Sequence, residues 1–130
     1  MNKYQQDVED FHRACGIPVG EYIQALDPER TALRRDLIKE EGRELRDAYR
    51  DYKIPEILDG SVDSIVVILG GLVEMGIDLD PFWEEVHRTN MAKAGGPVRE
   101  DGKQLKPEGW VAPDLKRVLR EQLTNEKETA

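Results

Sequence analysis

The spacing of apolar and polar residues predicts helices over most of the chain. A first helix is predicted over about Lys3 to Cys15, and Gly16 is the residue type that ends it. Asp27 followed by Pro28 marks the next helix start, because aspartate can cap free backbone amides and proline suits the first helical position. This second helix is predicted to reach about Tyr52.

Two more helices complete the predicted core, and the same kinds of residue mark their ends. Pro55 opens a third helix that ends near Gly76. Asp80 with Pro81 repeats the signal of a cap followed by proline, and the fourth helix is predicted to reach about Lys93. Successive helices joined by short connections are typical of a four-helix core.

The rest of the chain departs from the helical pattern. Residues 94–112 are rich in glycine and proline, and Asp101-Gly102 within them predicts a short hairpin. A last short helix follows. We therefore expect an all-α fold with a four-helix core, an irregular arm and a short C-terminal helix, forming one domain over residues 1–123 before a flexible tail at 124–130.

The charge of the chain limits the partners that it can have. Lys and Arg number 19 and Asp and Glu 27, which gives a net charge of -8. Non-specific binding to nucleic acid or to an anionic membrane needs a basic patch, so we expect neither partner. An acidic protein can still bind a phosphate-rich ligand when bound cations reverse the local field.

Cysteine content and hydropathy both favour a cytoplasmic protein. Cys15 is the only cysteine, which excludes an internal disulfide and favours a reducing compartment. No apolar run is long enough to span a bilayer, and the first ten residues are too polar for a signal peptide. We therefore expect a cytoplasmic location.

The predicted second helix carries acids on its apolar side. At about 100° per residue, its aliphatic residues and Tyr49 share one arc, whereas its basic residues from position 35 onward lie opposite. Glu41 falls near the middle of the apolar arc, Glu44 lies on it, and Glu40 is at its edge. Burying an unpaired carboxylate costs several kcal/mol, so something must offset these charges.

The predicted third helix is apolar almost all the way round, which indicates that it is the buried helix of the core. Asp59 and Asp63 interrupt it one turn apart and share a face. Gly70 continues the same stripe, and its missing side chain leaves room for another group to approach the helix closely. Two like charges one turn apart repel each other, and a cation between them would remove the repulsion.

Inward-facing carboxylates on two adjacent helices supply the oxygen ligands that Mg²⁺ or Mn²⁺ prefers. The alternative is that the acids form salt bridges to inward Arg or Lys side chains, or reach water at helix ends. The third helix has no basic residue between Pro55 and Gly76, and the basic residues of the second helix point away. A metal site is therefore the favoured interpretation.

Several stretches of the chain resemble a known family. Residues 37–45 (LIKEEGREL) and 59–63 (DGSVD) resemble the all-α nucleoside triphosphate pyrophosphohydrolase superfamily. Its signature is a pair of glutamates three apart on one helix, then a glutamate and an aspartate three apart on the next. Residues 85–93 and 101–110 look like its MazG-like subgroup. The resemblance covers nearly the whole chain.

This resemblance implies a hydrolase that depends on Mg²⁺ or Mn²⁺ and cuts a nucleoside triphosphate between its α and β phosphates, releasing a monophosphate and pyrophosphate. Glu41 and Glu44 match the first half of the signature, and Asp63 matches its last position. Gly60 stands where the second glutamate should be. Helical spacing directs the neighbouring Asp59 beside Asp63, so we expect Asp59 to be the substitute ligand.

Residues outside the predicted ligand set have expected roles as well. Glu40 corresponds to the family residue that accepts the proton of the attacking water, so it is the predicted catalytic base. Phosphate charge needs cationic partners, and Lys103 and Lys106 of the arm could supply them. The resemblance implies that Asn90 and Lys93 also contact the substrate. Trp110 could stack on a base or pack against the core. The candidate substrate contacts are Asn90, Lys93, Lys103, Lys106 and Trp110.

Two other functions stay open beside the enzyme. Gly60 is compatible with a non-catalytic nucleotide or metal sensor, which would bind nucleotide without turnover. A helical interaction module with salt-bridged acids would gain no stability from Mn²⁺. The broad apolar arcs and the resemblance both predict a homodimer with its sites near the subunit interface.

Overall fold

The computed structural model describes residues 1–129, and the all-α prediction is confirmed. The described residues form five helices: α1 Lys3–Cys15, α2 Pro28–Arg50, α3 Ile54–Met75, α4 Asp80–Met91 and α5 Leu115–Thr129. Two compact units divide the chain, one over residues 1–78 with α1 to α3 and one from residue 79 onward with α4 and α5. None of the described helices is both long and apolar enough to cross a membrane.

Most helix ends coincide with the residues that predicted them. Gly16 ends α1 in the left-handed conformation, with a φ of 68°. Asp27 caps α2 by accepting a hydrogen bond from the Arg30 amide at 2.8 Å. The predicted cap at Asp80 is wrong, because Asp80 is the first residue of α4 and Leu79 precedes it as the N-cap. A carboxylate in the first turn is still favoured by the helix dipole.

The irregular arm between α4 and α5 contains the predicted hairpin in a minimal form. Val98 and Gln104 form an isolated antiparallel bridge, and Gly102 supplies the positive φ of 91° that the turn needs. The last helix is longer than predicted, since α5 continues past Leu123 to Thr129. The predicted single domain over residues 1–123 stays a prediction.

In the first unit, α1 and α2 both pack against α3. Leu69 and Val73 of α3 are 5% and 3% exposed, and Val8 of α1 and Ala48 of α2 are buried as well. Aliphatic side chains from three helices therefore form the core of this unit, and their removal from water supplies most of its stability.

The prediction that α3 is the buried helix is wrong for one side of it. Leu58, Val62, Ile65 and Ile68 are each more than half exposed in the single chain. The reason is that α1 and α2 leave these positions of α3 uncovered. A groove of about 450 Å³ lies beside them, and apolar side chains of α1 and α3 contribute most of its lining.

The loop after α1 crosses the C-terminal end of α3, and the backbones of the loop and the helix are in direct contact. The Gly20 amide donates a hydrogen bond to the Val73 carbonyl at 2.9 Å. A Cβ atom on Gly20 would lie 2.5 Å from the Gly76 nitrogen and 2.6 Å from the Glu74 carbonyl oxygen. Backbone atoms cannot rotate aside as a flexible side chain can, so only glycine fits at this crossing.

We expect Gly20→Ala to lower the free energy of unfolding and Gly42→Ala to raise it. The first variant forces a methyl group against the backbone of α3, and overpacking of this kind costs about 1–3 kcal/mol. Gly42 lies within α2 with nothing within 4 Å of an added Cβ atom. Its replacement gains helix propensity of about 0.5–1 kcal/mol. Urea unfolding measures both changes, and a stable Gly20→Ala protein would contradict the described crossing.

Candidate active site

Glu41 of α2 is an unusual carboxylate. Its side chain is half-buried, and its Oε2 atom is fully buried without a hydrogen-bond partner. Leaving a buried acceptor unsatisfied costs about 1–3 kcal/mol, and more when it is charged. Such a group in a folded protein calls for an explanation, and a function that needs the free oxygen is one.

The other four predicted acids act on Glu41 electrostatically. Burial raises the pKa of the Glu41 carboxyl above its ordinary value of 4.5. The negative charges of the remaining acids raise this pKa further, in the order Glu44, Asp63, Glu40 and Asp59. Because two of these acids are on α2 and two on α3, the pairing of the helices brings both halves of the predicted ligand set into electrostatic range.

The oxygens of these five acids do not stand in ligand positions. Asp63 is half-buried like Glu41, whereas Glu40, Glu44 and Asp59 are exposed. Within residues 1–129, no three His, Cys, Asp or Glu side chains form a group that could hold a metal ion. Like charges repel, and exposed side chains have the rotamer freedom to turn apart. Binding a cation here requires the exposed carboxylates to turn toward Glu41.

Gly60, the position at which this chain departs from the family signature, lies in the contact between α3 and α2. It is buried where α3 packs against α2, and a Cβ atom on it would lie 3.2 Å from the Cα and 3.3 Å from the Cβ of Leu45. A side chain at this position would need Leu45 and its backbone to give way by a few tenths of an ångström. Asp59, one residue earlier, is exposed and lies within electrostatic range of Glu41. Its role as substitute ligand stays a prediction.

Sequence patterns miss a buried ion-pair network in the first unit. Glu74 of α3 is 3% exposed and accepts hydrogen bonds from Nε of Arg30, at 2.7 Å, and from Nε of Arg34. Burial alone would raise the pKa of Glu74, but the hydrogen bonds from the two arginines bring it below 4.5. Salt bridges to inward arginines, the alternative to metal binding, are therefore formed by Glu74, which is not one of the predicted metal ligands.

Gly70 provides the space for this network. A Cβ atom on it would lie 2.6 Å from Nη1 of Arg34 and 3.0 Å from Nε2 of His12. Nη2 of Arg34 is 3.5 Å from the same His12 nitrogen, and Nδ1 of His12 is 3.0 Å from the Pro18 carbonyl oxygen. A guanidinium only donates and a carbonyl only accepts, so the hydrogen of a neutral His12 is on Nδ1. The close approach predicted at Gly70 is made by arginine and histidine.

In the second unit, the structure brings four of the five candidate substrate contacts together. The indole Nε1 of Trp110 donates to the Thr89 carbonyl at 2.7 Å, which fixes the ring beside α4. Nζ of Lys93 lies 5.3 Å from the centroid of this ring, and Nζ of Lys106 lies 4.8 Å from it. Lys93 also donates to Oδ1 of Asn90 at 3.0 Å.

Lys103 is the candidate that stays apart from this group. Its amide donates to Oδ1 of Asp101 at 3.3 Å, and its carbonyl accepts from the Arg99 amide at 2.8 Å. These bonds place Lys103 in the turn of the hairpin with its side chain exposed. Its predicted role as a substrate contact therefore has less support than those of Lys93 and Lys106.

Glu85 is a second buried acid that sequence patterns miss. It accepts hydrogen bonds from Arg88 at 2.7 Å, from the Asp114 amide at 3.0 Å and from Arg117 at 3.4 Å. The hydrogen bond from Arg88 and then that from the Asp114 amide lower the pKa of Glu85 to about 2. A carboxylate with this many donors joins α4 to the start of α5 and is a structural group.

Comparison with known proteins places the chain in a family. The family model for phosphoribosyl-ATP pyrophosphohydrolase matches residues 8–90, which include all five acids and end before the lysines of the arm. An uncharacterized protein of Acanthamoeba polyphaga mimivirus is 39% identical over 79 residues, covering 58% of this chain and 32% of the viral protein. The chain thus spans about a third of that relative. The family lies within the superfamily that the sequence resembles. This chain belongs to the phosphoribosyl-ATP pyrophosphohydrolase family.

Proposed function

We propose that this chain is a metal-dependent pyrophosphohydrolase of nucleoside triphosphates, serving in nucleotide-pool housekeeping. Membership of the family supports hydrolysis that releases pyrophosphate. Metal dependence is supported by Glu41, because its buried oxygen has no hydrogen-bond partner and four further acids lie near it. A divalent cation would satisfy this oxygen and relieve the repulsion among the acids.

The donor chemistry of the five acids fits Mg²⁺ or Mn²⁺, because every available atom is a carboxylate oxygen. Glu41, Glu44, Asp63 and Asp59 would hold the cofactor. When bound, it would neutralise phosphate charge and lower the pKa of a coordinated water. Two of these ligands are on α2 and two are on α3, so the pairing of the two helices is a condition for activity.

The proposed reaction is attack of water on the α phosphorus. A new bond forms between the water oxygen and this phosphorus, and the bond to the oxygen bridging the α and β phosphates breaks. Pyrophosphate leaves, and the proton of the water passes to Glu40, the exposed carboxylate next to Glu41. Asn90, Lys93, Lys103, Lys106 and Trp110 remain the proposed substrate contacts.

Phosphoribosyl-ATP is a second candidate substrate, because the description of the family names it. It is a derivative of ATP and offers the same kind of bond between phosphates. The acids of α2 and α3 would act on either substrate in the same way. The two candidates differ in the groups that are attached to the phosphates, so contacts of the protein with those groups would decide between them.

A substrate panel with product identification tests the proposal. Canonical ribo- and deoxyribonucleoside triphosphates and phosphoribosyl-ATP are each incubated with Mg²⁺ or Mn²⁺. We expect at least one to yield a monophosphate and pyrophosphate, with no turnover in the presence of a chelator. Release of orthophosphate would contradict cleavage between the α and β phosphates. Nucleotide binding without turnover would identify a sensor instead.

We further propose that the protein is a homodimer. Leu58, Val62 and Ile65 form a stripe on α3 and are 62%, 59% and 52% exposed in the single chain. Contiguous apolar surface of this kind is uncommon on monomeric soluble proteins. A second copy of the chain would cover this stripe, which begins beside the predicted ligands Asp59 and Asp63.

A further inference from the structure

Lys93 and Lys106 converge on one aromatic ring without negative partners. Both ammonium groups lie within 5.3 Å of the Trp110 ring centroid. Among residues 1–129, neither lysine forms an ion pair with a carboxylate, although acids outnumber bases in the chain. Three of the four arginines of the same unit are paired with carboxylates, namely Arg88, Arg99 and Arg117.

The ring that gathers these lysines is held firmly. Its Nε1 donates to the carbonyl of Thr89, a residue that is 1% exposed. On the arm, Nε2 of Gln104 donates to the carbonyls of Lys93 and Gly96, each at 3.0 Å. The backbone of Lys93 is therefore fixed from the arm side. Cation–π attraction orders both ammonium groups but leaves their charge uncompensated.

We propose that Trp110 is a positioning residue that holds Lys93 and Lys106 as a two-cation site for a polyphosphate anion. Because both lie about 5 Å from one ring centroid, the two ammonium groups are no more than about 10 Å apart, and two uncompensated cations within this distance attract a multivalent anion more strongly than a monovalent one. The inference rests on the proposed function only in naming the anion, because pyrophosphate is the product expected of that reaction. It also gives the tryptophan a different role from stacking on a base, because its ring is already engaged by the lysines.

Intrinsic fluorescence reports directly on this site. The chain has two tryptophans, and Trp83→Phe removes the other, which is 67% exposed. Inorganic pyrophosphate is titrated into this variant with a chelator present, so that no divalent metal contributes. We expect a saturable change in Trp110 emission that sodium chloride of equal ionic strength does not produce. An identical response to the chloride salt would overturn the inference.

Lysine variants in the same background measure the contribution of each cation. Lys93→Met and Lys106→Met are expected to weaken pyrophosphate binding at least about tenfold each, since each removes one of two charges near the anion. Lys116→Met, an exposed lysine at the start of α5, is the matched control and should bind within about twofold of the parent. Equal affinities in all three variants would overturn the inference.

Calorimetry of Trp110 variants tests positioning separately from charge. Trp110→Leu removes the ring but neither lysine and is expected to weaken pyrophosphate binding about tenfold, whereas Trp110→Phe restores part of it. With the substrate found by the panel, both lysine variants should raise KM more than they lower kcat. Unchanged pyrophosphate affinity in a folded Trp110→Leu protein would contradict the positioning role.

The proposed function and this inference can fail independently. Glu41→Gln should retain lysine-dependent binding of pyrophosphate even though it lacks activity. Hydrolysis by the parent protein without lysine-dependent binding would overturn the two-cation site alone. Lysine-dependent binding in a protein that hydrolyses no nucleotide would support the site and overturn the enzyme.

Discussion

Replacing Glu41 by glutamine is expected to abolish pyrophosphate release while stabilising the metal-free protein. The amide is a poor ligand for a hard cation, so we expect kcat/KM to fall at least about 100-fold. The same change removes a partly buried negative charge that four neighbouring acids disfavour. We therefore expect the melting temperature without metal to rise by several degrees. Pyrophosphate assays and thermal unfolding with a chelator measure the two effects.

The pH dependence of stability follows from the raised pKa of Glu41. A folded-state pKa above the unfolded value of 4.5 means that the native state binds the proton more tightly. This contribution to stability is present below pH 4.5 and is lost as pH rises through the folded-state pKa. Glu41→Gln should remove this loss. The stability of the variant relative to the parent protein should therefore increase as pH rises from 4.5 through the folded-state pKa of Glu41.

Asp36→Asn is the matched control for Glu41→Gln. Asp36 is an exposed carboxylate on the same helix, and its replacement also exchanges an acid for an amide. Its activity and melting temperature should stay close to those of the parent. A Glu41→Gln protein that keeps full activity, or that melts earlier than the parent, would show that Glu41 serves the fold instead of the reaction.

Glu74→Gln is expected to destabilise the protein by about 3–5 kcal/mol, because it leaves a buried guanidinium without its counter-charge. Arg34 is only 9% exposed, so water can replace little of the lost ion pair. Urea unfolding at neutral pH measures the change. Glu56→Gln, an exposed acid of the same helix, should cost at most about 1 kcal/mol through the helix dipole.

Glu74 and Glu41 should respond to pH in opposite directions. The two arginines hold the pKa of Glu74 below 4.5, so its contribution to stability is present above pH 4.5 and is lost as pH falls through the folded-state pKa. Glu74→Gln should therefore flatten the acid side of the stability profile. A loss at neutral pH under about 1 kcal/mol would contradict the description of Glu74 as a buried, charge-paired residue.

Local signals predicted the helices well. Asp27-Pro28 and the glycines at positions 16 and 76 act through backbone atoms a few residues away, so the sequence contains the whole interaction. Asp80 shows the limit of this reasoning, because a cap and a first-turn acid have the same composition. Periodicity also identified Glu41 as an acid on the side of α2 that packs against another helix.

Interactions between helices were harder to predict. Glu74 and Arg34 are forty positions apart, and nothing in either helix alone says that the two charges meet. A further carboxylate near the end of the apolar third helix, without a basic residue beside it, was the available signal. The uncovered stripe of α3 was also missed, because an all-round apolar helix does not reveal which of its sides another helix of the same chain covers.

The contact between Gly60 and Leu45 limits which residues position 60 can hold. A Cβ atom there would meet the Cα of Leu45 at 3.2 Å as well as its Cβ at 3.3 Å, so a smaller residue at position 45 would remove only part of the conflict. A glutamate at position 60 therefore also needs the facing backbone to shift by a few tenths of an ångström. The distance between α2 and α3 thereby selects the residue types that can complete the ligand set.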